Sequence, residues 1–218
     1  MSSRAARPNS QRWALMLLSM LIPAAALAQS VSARPHGETW CGGGTMAAHA
    51  MRRLQLELET WPKPGLVSHI DNGSHDDMDA ALFRTSARTI APYFAALVDS
   101  GAAGQGMGRL RVIGLEAEAA MMNATAGINT HRGAVFGLGL LCAAYGARAA
   151  GLAGPVTSLG TVVASLRGRS ILDGPILLHS HGARARRRYG SGGARMEAAQ
   201  GFPNLYQIGL PALRRAAL

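Results

Sequence analysis

Lysine is almost missing from this 218-residue chain, with Lys63 the only one. A GxxxxGK[ST] phosphate loop needs a lysine after its glycine, and Lys63 stands between Pro62 and Pro64 instead. The motif set of protein kinases is absent as well, so neither of the two commonest ways of holding ATP is available. HExxH and GxSxG are missing, which removes the ordinary zinc peptidases and serine hydrolases. There are two cysteines, Cys41 and Cys142, a hundred positions apart, so a disulfide framework and a CxxC metal site are both excluded. Aromatic residues make up only 5% of the chain. No internal repeat, alternating strand series or heptad array runs through it.

What is present is alanine, leucine and methionine within a hydrophobic content of 48%. These are good helix formers, and the length suffices for one domain with a real core, so an all-α fold is expected. The formal net charge is +10, and the sequence pI is about 11.1. Because nearly all the positive charge is arginine, which grips phosphate bidentately, phosphate-rich partners are favoured. A GC-rich genome exchanging lysine for arginine is the competing origin. At the N-terminus, Arg4, Arg7 and Arg12 precede an apolar run over residues 13–28 that ends Ala26-Leu27-Ala28. That is the layout of a secretory signal peptide, too short and too interrupted by Pro23 for a stable membrane span. Residues 30–45 read as a linker containing Gly42, Gly43 and Gly44. The chain thus divides into a signal-like segment with linker, residues 1–45, and a single helical domain, residues 46–218.

Within the domain, residues 46–60 predict a helix with Met51, Leu54 and Leu58 on one stripe, stopped by Pro62 and Pro64. Ser74 is a good N-cap, and Asp77 three residues later completes a box-like start. Met78, Ala81, Leu82 and Thr85 form the expected inner face of that helix, which Pro92 breaks or restarts. A glycine-rich loop spans 101–108, and a third helix spans 109–125 until Gly127 stops it. Thr130 is placed to cap a helix over 131–148. That helix is apolar almost all round, as a buried central helix would be, and carries Cys142. Residues 151–175 are weakly patterned. Residues 184–188 are a basic run, and 195–200 supply one helical turn or two.

Three blocks of this chain resemble the triphosphoribosyl-dephospho-CoA synthases. The first joins Pro62-Lys63-Pro64-Gly65-Leu66-Val67 to Asn72-Gly73-Ser74-His75-Asp76-Asp77-Met78-Asp79. The second joins Gly114-Leu115-Glu116-Ala117-Glu118 to Met121, Met122 and the run from Thr125-Ala126-Gly127-Ile128 through Asn129-Thr130-His131-Arg132 to Gly133-Ala134-Val135-Phe136. The third contains Tyr189-Gly190, Gly193-Ala194-Arg195-Met196-Glu197-Ala198 and Gly201-Phe202-Pro203. Their order and spacing suit the family, which continues with further helices beyond the position of Leu218, so the domain is expected to be incomplete at its C-terminus. Residues 151–179 match poorly.

The resemblance implies a transferase that moves the triphosphoribosyl group of ATP onto the ribose 2′-hydroxyl of 3′-dephospho-CoA, with release of adenine. The product is the precursor of the prosthetic group on the acyl carrier protein of malonate decarboxylase or citrate lyase, with malonate decarboxylase preferred. An ATP-consuming enzyme belongs in the cytoplasm; export, with a mature start near Gln29, is the alternative that residues 13–28 suggest. Substitution at an anomeric carbon passes through an oxocarbenium-like state and needs a base, an acid and cations for three phosphates. Mg²⁺ is expected to arrive with ATP, held by one or two carboxylates.

Asp76 and Asp77 cluster at a helix start and, with Glu116, are the expected metal carboxylates; acids there also favour the helix dipole or complete a cap. Asp77, Glu118 and His131 are the expected catalytic groups, His131 as an acid working near neutral pH. Glu116 and Glu118 face different sides of one helix, and Glu118 points toward the Asn129 loop. Asn129, Thr130 and Arg132 begin the buried helix, where backbone N–H groups favour anions. Lys63, extended between prolines, is expected to present its charge to phosphate. Ser74, His75, Arg195 and Glu197 complete the substrate-binding set, with a structural Arg195–Glu197 ion pair as the plain alternative. Asp77, Glu118, His131 and Arg195 should therefore line one cleft. The competing readings are an inactive truncated relative and a basic nucleic-acid or membrane-surface protein. The second has only charge in its favour, since no aromatic-studded basic patch accompanies it, so neither nucleic acid nor stable membrane insertion is expected.

Overall fold

The computed structural model describes residues 42–175 and 192–216. Every regular element among them is helical: α1 (Gly43–Glu59), α2 (Ala80–Ala102), α3 (Met107–Ala124), α4 (Arg132–Ala149), α5 (Leu159–Leu172) and α6 (Gly193–Ala199), then a π-helical turn (Asn204–Gly209) that runs into α7 (Leu210–Ala216). No β-strand occurs among the described residues, as the composition leads one to expect. None of these helices is long and apolar enough to cross a membrane. The signal-like run, most of the linker and the basic run at 184–188, with Arg186, Arg187 and Arg188, lie outside the described residues.

Helix α4 is the centre, with a continuous buried stretch from Leu138 to Ala147. It packs most intimately on α2. A Cβ on Gly101 of α2 would collide with the carbonyl oxygen of Ala143, and one on Gly146 of α4 with that of Val98. Glycine at both positions lets backbone lie directly on backbone. Around this pair, Met46, Ala50 and Leu54 of α1, Ile90, Phe94 and Leu97 of α2, and Leu110, Ile113 and Met121 of α3 complete one apolar core. Cys142 is fully buried in it, and burial pushes its thiol up to about 12, so it is an inert packing residue.

Several expected boundaries shift for identifiable reasons. Ser74 caps no helix, because its hydroxyl donates to the Gly65 carbonyl at 2.9 Å and folds the 62–79 loop back on itself. The cap of α2 is Asp79, whose Oδ1 accepts the Leu82 N–H at 2.8 Å. Ala81 is consequently exposed, and the inner face of α2 begins at Ser86. Pro92 does not break this helix: it sits on the exposed side, while Ile90 and Phe94 anchor the flanking turns in the core. Helix α3 starts at Met107, two residues earlier than its pattern suggested. The weakly patterned stretch contains α5, capped by Ser158, whose Oγ accepts the Thr161 N–H at 3.1 Å. Residues 195–199 lie in α6, which begins at Gly193 and has Gln200 as its C-cap.

Lys63 does not present its charge. Its Nζ donates to both the Glu57 carbonyl and the Glu57 Oε1 at 2.8 Å, and its side chain is only 6% exposed. Burial raises the Glu57 carboxyl, and the Lys63 hydrogen bond and charge oppose that rise. The two prolines thus turn Lys63 inward to close the end of α1. Lys63→Met leaves a buried carboxylate alone, which costs about 3–5 kcal/mol. Chemical denaturation should show that loss, and Glu57→Gln in the same chain should recover part of it. A loss below about 1 kcal/mol would mark the pair as an ordinary exposed contact.

Candidate functional site

The second sequence block meets α2 at the N-terminal end of α4. Thr130 Oγ1 donates to Ser86 Oγ at 2.6 Å, and Ser86 Oγ lies 2.7 Å from His131 Nδ1. With the Thr130 proton directed at it, Ser86 turns its own hydrogen to Nδ1, so the imidazole carries its proton on Nε2. All three side chains are buried, Ser86 completely. Phe83 packs edge-on against the imidazole with ring centroids 4.9 Å apart. The His131 N–H points to Met121 Sδ at 3.1 Å. Burial, and secondarily the Lys63 charge, lower the His131 pKa to about 4. At neutral pH the ring is therefore uncharged, and the expectation of an acid titrating near neutrality is corrected: His131 is a fixed neutral member of a hydrogen-bonded chain.

The N-cap position of α4 is His131, which makes no side-chain cap; Asn129 Oδ1 accepts the Arg132 N–H at 3.2 Å, and the Thr130 hydroxyl is committed to Ser86. Just before it, Ala126 holds a left-handed backbone at φ 52°, a conformation that favours glycine. Arg132 emerges half-exposed, and its Nε meets Glu118 Oε2 of α3 at 2.9 Å. Glu118 does reach toward the Asn129 loop, whereas Glu116 is exposed.

Below the Glu118 carboxylate opens a cavity of about 160 Å³ between α2, α3, α4 and the end of α5. Its wall is mostly apolar, with Leu97, Leu110, Val135, Phe136 and Leu140 prominent, and Arg111 and Arg195 also border it. Arg195 is not free to bind a ligand with its whole guanidinium. It donates to the carbonyls of Ile171 (3.1 and 2.5 Å), Leu172 (2.9 Å), Gly174 (2.8 Å) and Pro175 (2.8 Å). The first two belong to the last turn of α5, where a cation and donors are most needed, and the others to the segment that follows it. Glu197 forms no ion pair with it. Its Oε1 accepts the Asn204 N–H at 2.8 Å and its Oε2 the Asn204 Nδ2 at 2.9 Å, starting the π-helical turn. Burial raises the Glu197 carboxyl, and the Asn204 and Leu205 hydrogen bonds oppose the rise.

The expectation of one cleft shared by four residues is thus corrected. Glu118 and Arg195 line the same cavity, but neither Asp77 nor His131 does. Asp77 is exposed in the 62–79 loop, 3.6 Å from His75 Nδ1, and Asp76 is exposed beside it. Among the described residues, no three His, Cys, Asp or Glu side chains converge as a protein-built metal cage would, so Asp76, Asp77 and Glu116 are not gathered into one. The residue missed in the sequence is Ser86. Its signal was available: it occupies the stripe of Ile90, Phe94 and Leu97, where a polar side chain must find a buried partner.

The depressed pKa of His131 has a defined effect on stability. In the unfolded chain the ring gains its proton near pH 6.5, and in the folded chain only near 4. The unfolded state therefore binds more protons in that window, and stability falls as pH drops from about 6.5 to 4, by up to about 3 kcal/mol. Glu57, raised by burial, acts in the opposite direction. The measurement is the difference in unfolding free energy between wild type and His131→Asn across this range. It should shrink as the pH is lowered, and a constant difference would contradict the buried neutral ring.

Comparison with known proteins comes to the same place as the three blocks. A model of the ATP:dephospho-CoA triphosphoribosyl transferase family matches residues 44–218. A Pseudomonas aeruginosa (strain UCBPP-PA14) protein described as a probable 2-(5″-triphosphoribosyl)-3′-dephosphocoenzyme-A synthase is 42% identical over 181 residues, covering 80% of this chain and 60% of its own. A Pectobacterium atrosepticum synthase of the same description, without the qualifier, is 41% identical over 78% of this chain and 58% of its own. A probable synthase from Lactiplantibacillus plantarum is 41% identical over 77% of this chain and 64% of its own. The chain thus spans about 60% of the length of the curated relatives it matches. No solved structure matches it. With the family model covering everything from the start of α1 onward, the chain belongs to the ATP:dephospho-CoA triphosphoribosyl transferase family.

Proposed function

We propose that this chain carries the family's reaction: it transfers the triphosphoribosyl group of ATP to the ribose 2′-hydroxyl of 3′-dephospho-CoA and releases adenine. The observation that carries the reading is the family match across residues 44–218. The geometry supports it through the group of polar side chains at the start of α4. The product would serve the acyl carrier protein of malonate decarboxylase or citrate lyase, and ATP as donor assigns the reaction to the cytoplasm.

The chain's residues divide the work by exposure. Arg132 is the cation available to phosphate, half-exposed at the head of α4 beside its Glu118 partner. Glu118 is the acid–base group nearest the cavity, partly sheltered and placed to return a proton to the departing base. His75 and Asn129 contribute from the surrounding loops. His131 and Thr130 act through Ser86 as positioning groups that fix the direction in which Arg132 leaves the helix. Lys63, Ser74, Arg195 and Glu197 hold the loops and helix ends that carry this set.

Asp76 and Asp77 are hard oxygen donors on an exposed loop. Such a pair suits an ion that keeps most of its ligands from water and phosphate, as Mg²⁺ does, and not a full protein cage. Bound there, Mg²⁺ would offset phosphate charge; Asp77 is also free to accept a proton.

Incubating the folded chain with ATP, Mg²⁺ and 3′-dephospho-CoA should release adenine, one per acceptor consumed. Glu118→Ala should lower kcat by roughly 10²-fold or more, and Arg132→Ala should act mainly through KM for ATP. A chain with a cooperative melting transition that releases no adenine would overturn the activity and leave the ancestry intact.

A further inference from the structure

The cavity beside Glu118 is too small for either whole substrate, since sites for such molecules run to about 300–1,000 Å³. At about 160 Å³ it is comparable to an apolar cavity of about 150 Å³ that accepts one benzene ring, so it has room for the six-membered ring of a purine, with the five-membered ring at its mouth. Its mostly apolar wall is unsuited to phosphate. One more feature indicates that this space is kept open. Gly114 lies in the interior of α3, where glycine weakens a helix relative to alanine. Its backbone is not in a left-handed conformation, and a Cβ there would meet no atom within 4 Å. Neither local backbone geometry nor packing against another helix therefore calls for glycine at this position. What its missing side chain leaves is room in the cavity wall.

We propose that this cavity receives the adenine ring of a nucleotide, with Gly114 as the residue that admits it and Glu118 accepting a hydrogen bond from the exocyclic amine. This rests on the reading of the chain as a nucleotide-using transferase. Phe136, Leu97, Leu110 and Leu140 offer apolar surface for a flat ring. The Glu118 carboxylate in the wall matches the amine of adenine and opposes the carbonyl that hypoxanthine carries at the same position. Both ATP and 3′-dephospho-CoA contain adenine, so either can supply the ring.

Equilibrium binding by calorimetry tests this without turnover, using ATP, 3′-dephospho-CoA, adenosine and inosine as probes. Wild type should favour adenosine over inosine by about tenfold, and Glu118→Gln, which can donate as well as accept, should erase most of that preference. Gly114→Leu should weaken binding of at least one adenine-containing substrate by about tenfold or more while the melting temperature stays level or rises. The substrate whose affinity falls is the occupant; a fall in both means the two compete for the ring pocket. Should the leucine variant fail to fold, Gly114→Ala should raise the melting temperature by about 2–4 °C and still weaken binding in the same direction. Unchanged affinities in a folded Gly114 variant, or equal binding of adenosine and inosine by wild type, would overturn the proposal. Gly114-sensitive ATP binding without adenine release would remove the transferase activity and keep the pocket.

Discussion

Helices α2 and α4 touch through their backbones, and the rest of the molecule is arranged around that contact. Gly101 and Gly146 remove the side chains that would hold the two helices apart. At the other end of the same helix pair, Ser86 on α2 lies within hydrogen-bond reach of both Thr130 and His131 at the head of α4. Three polar side chains are thereby buried at one end of an otherwise apolar core. The bonds from Thr130 to Ser86 and between Ser86 and His131 fix the relative position of the two helix ends more narrowly than apolar packing would. Arg132, the next residue along, inherits that precision.

Burial decides which charged residues are available for chemistry. Lys63 and Glu57 neutralise each other inside the protein, and Arg195 spends its donors on the carbonyls at the end of α5. The His131 imidazole is held neutral by its surroundings. Among the motif residues, the Glu118–Arg132 pair, His75 and the acids Asp76 and Asp77 keep exposed or part-exposed side chains. The motif is therefore a mixture of buried, structurally committed residues and accessible ones.

Much of the fold was legible in the sequence because apolar periodicity and glycine stops are local signals. The all-round apolar pattern over 131–148 marked α4 as the centre, and the acids in α3 were assigned to different faces, with Glu118 toward the Asn129 loop. What was not legible depended on partners distant in sequence. Thr130 looked like a cap because it precedes a helix, yet its partner Ser86 lies forty-four residues away. Lys63 between prolines looked presented, yet α1 supplies a carboxylate for it. Pro92 looked like a break, yet the core on either side carries α2 through it. Spacing picked out the motif residues, while tertiary contacts decided which of them are buried and what each one touches.

The most direct test of this account is the protonation state of His131, because its neutrality follows from burial at the head of α4, with the Lys63 charge adding to it, and its tautomer follows from the Ser86 hydroxyl. Nitrogen-15 NMR of the imidazole should show the Nε2–H tautomer from neutral pH down to about 5, with protonation only near 4 and an altered Nδ1 resonance in Ser86→Ala. A ring that titrates near the ordinary value of about 6.5 and ignores Ser86 would mean that the buried hydrogen-bonded chain at the head of α4 does not exist.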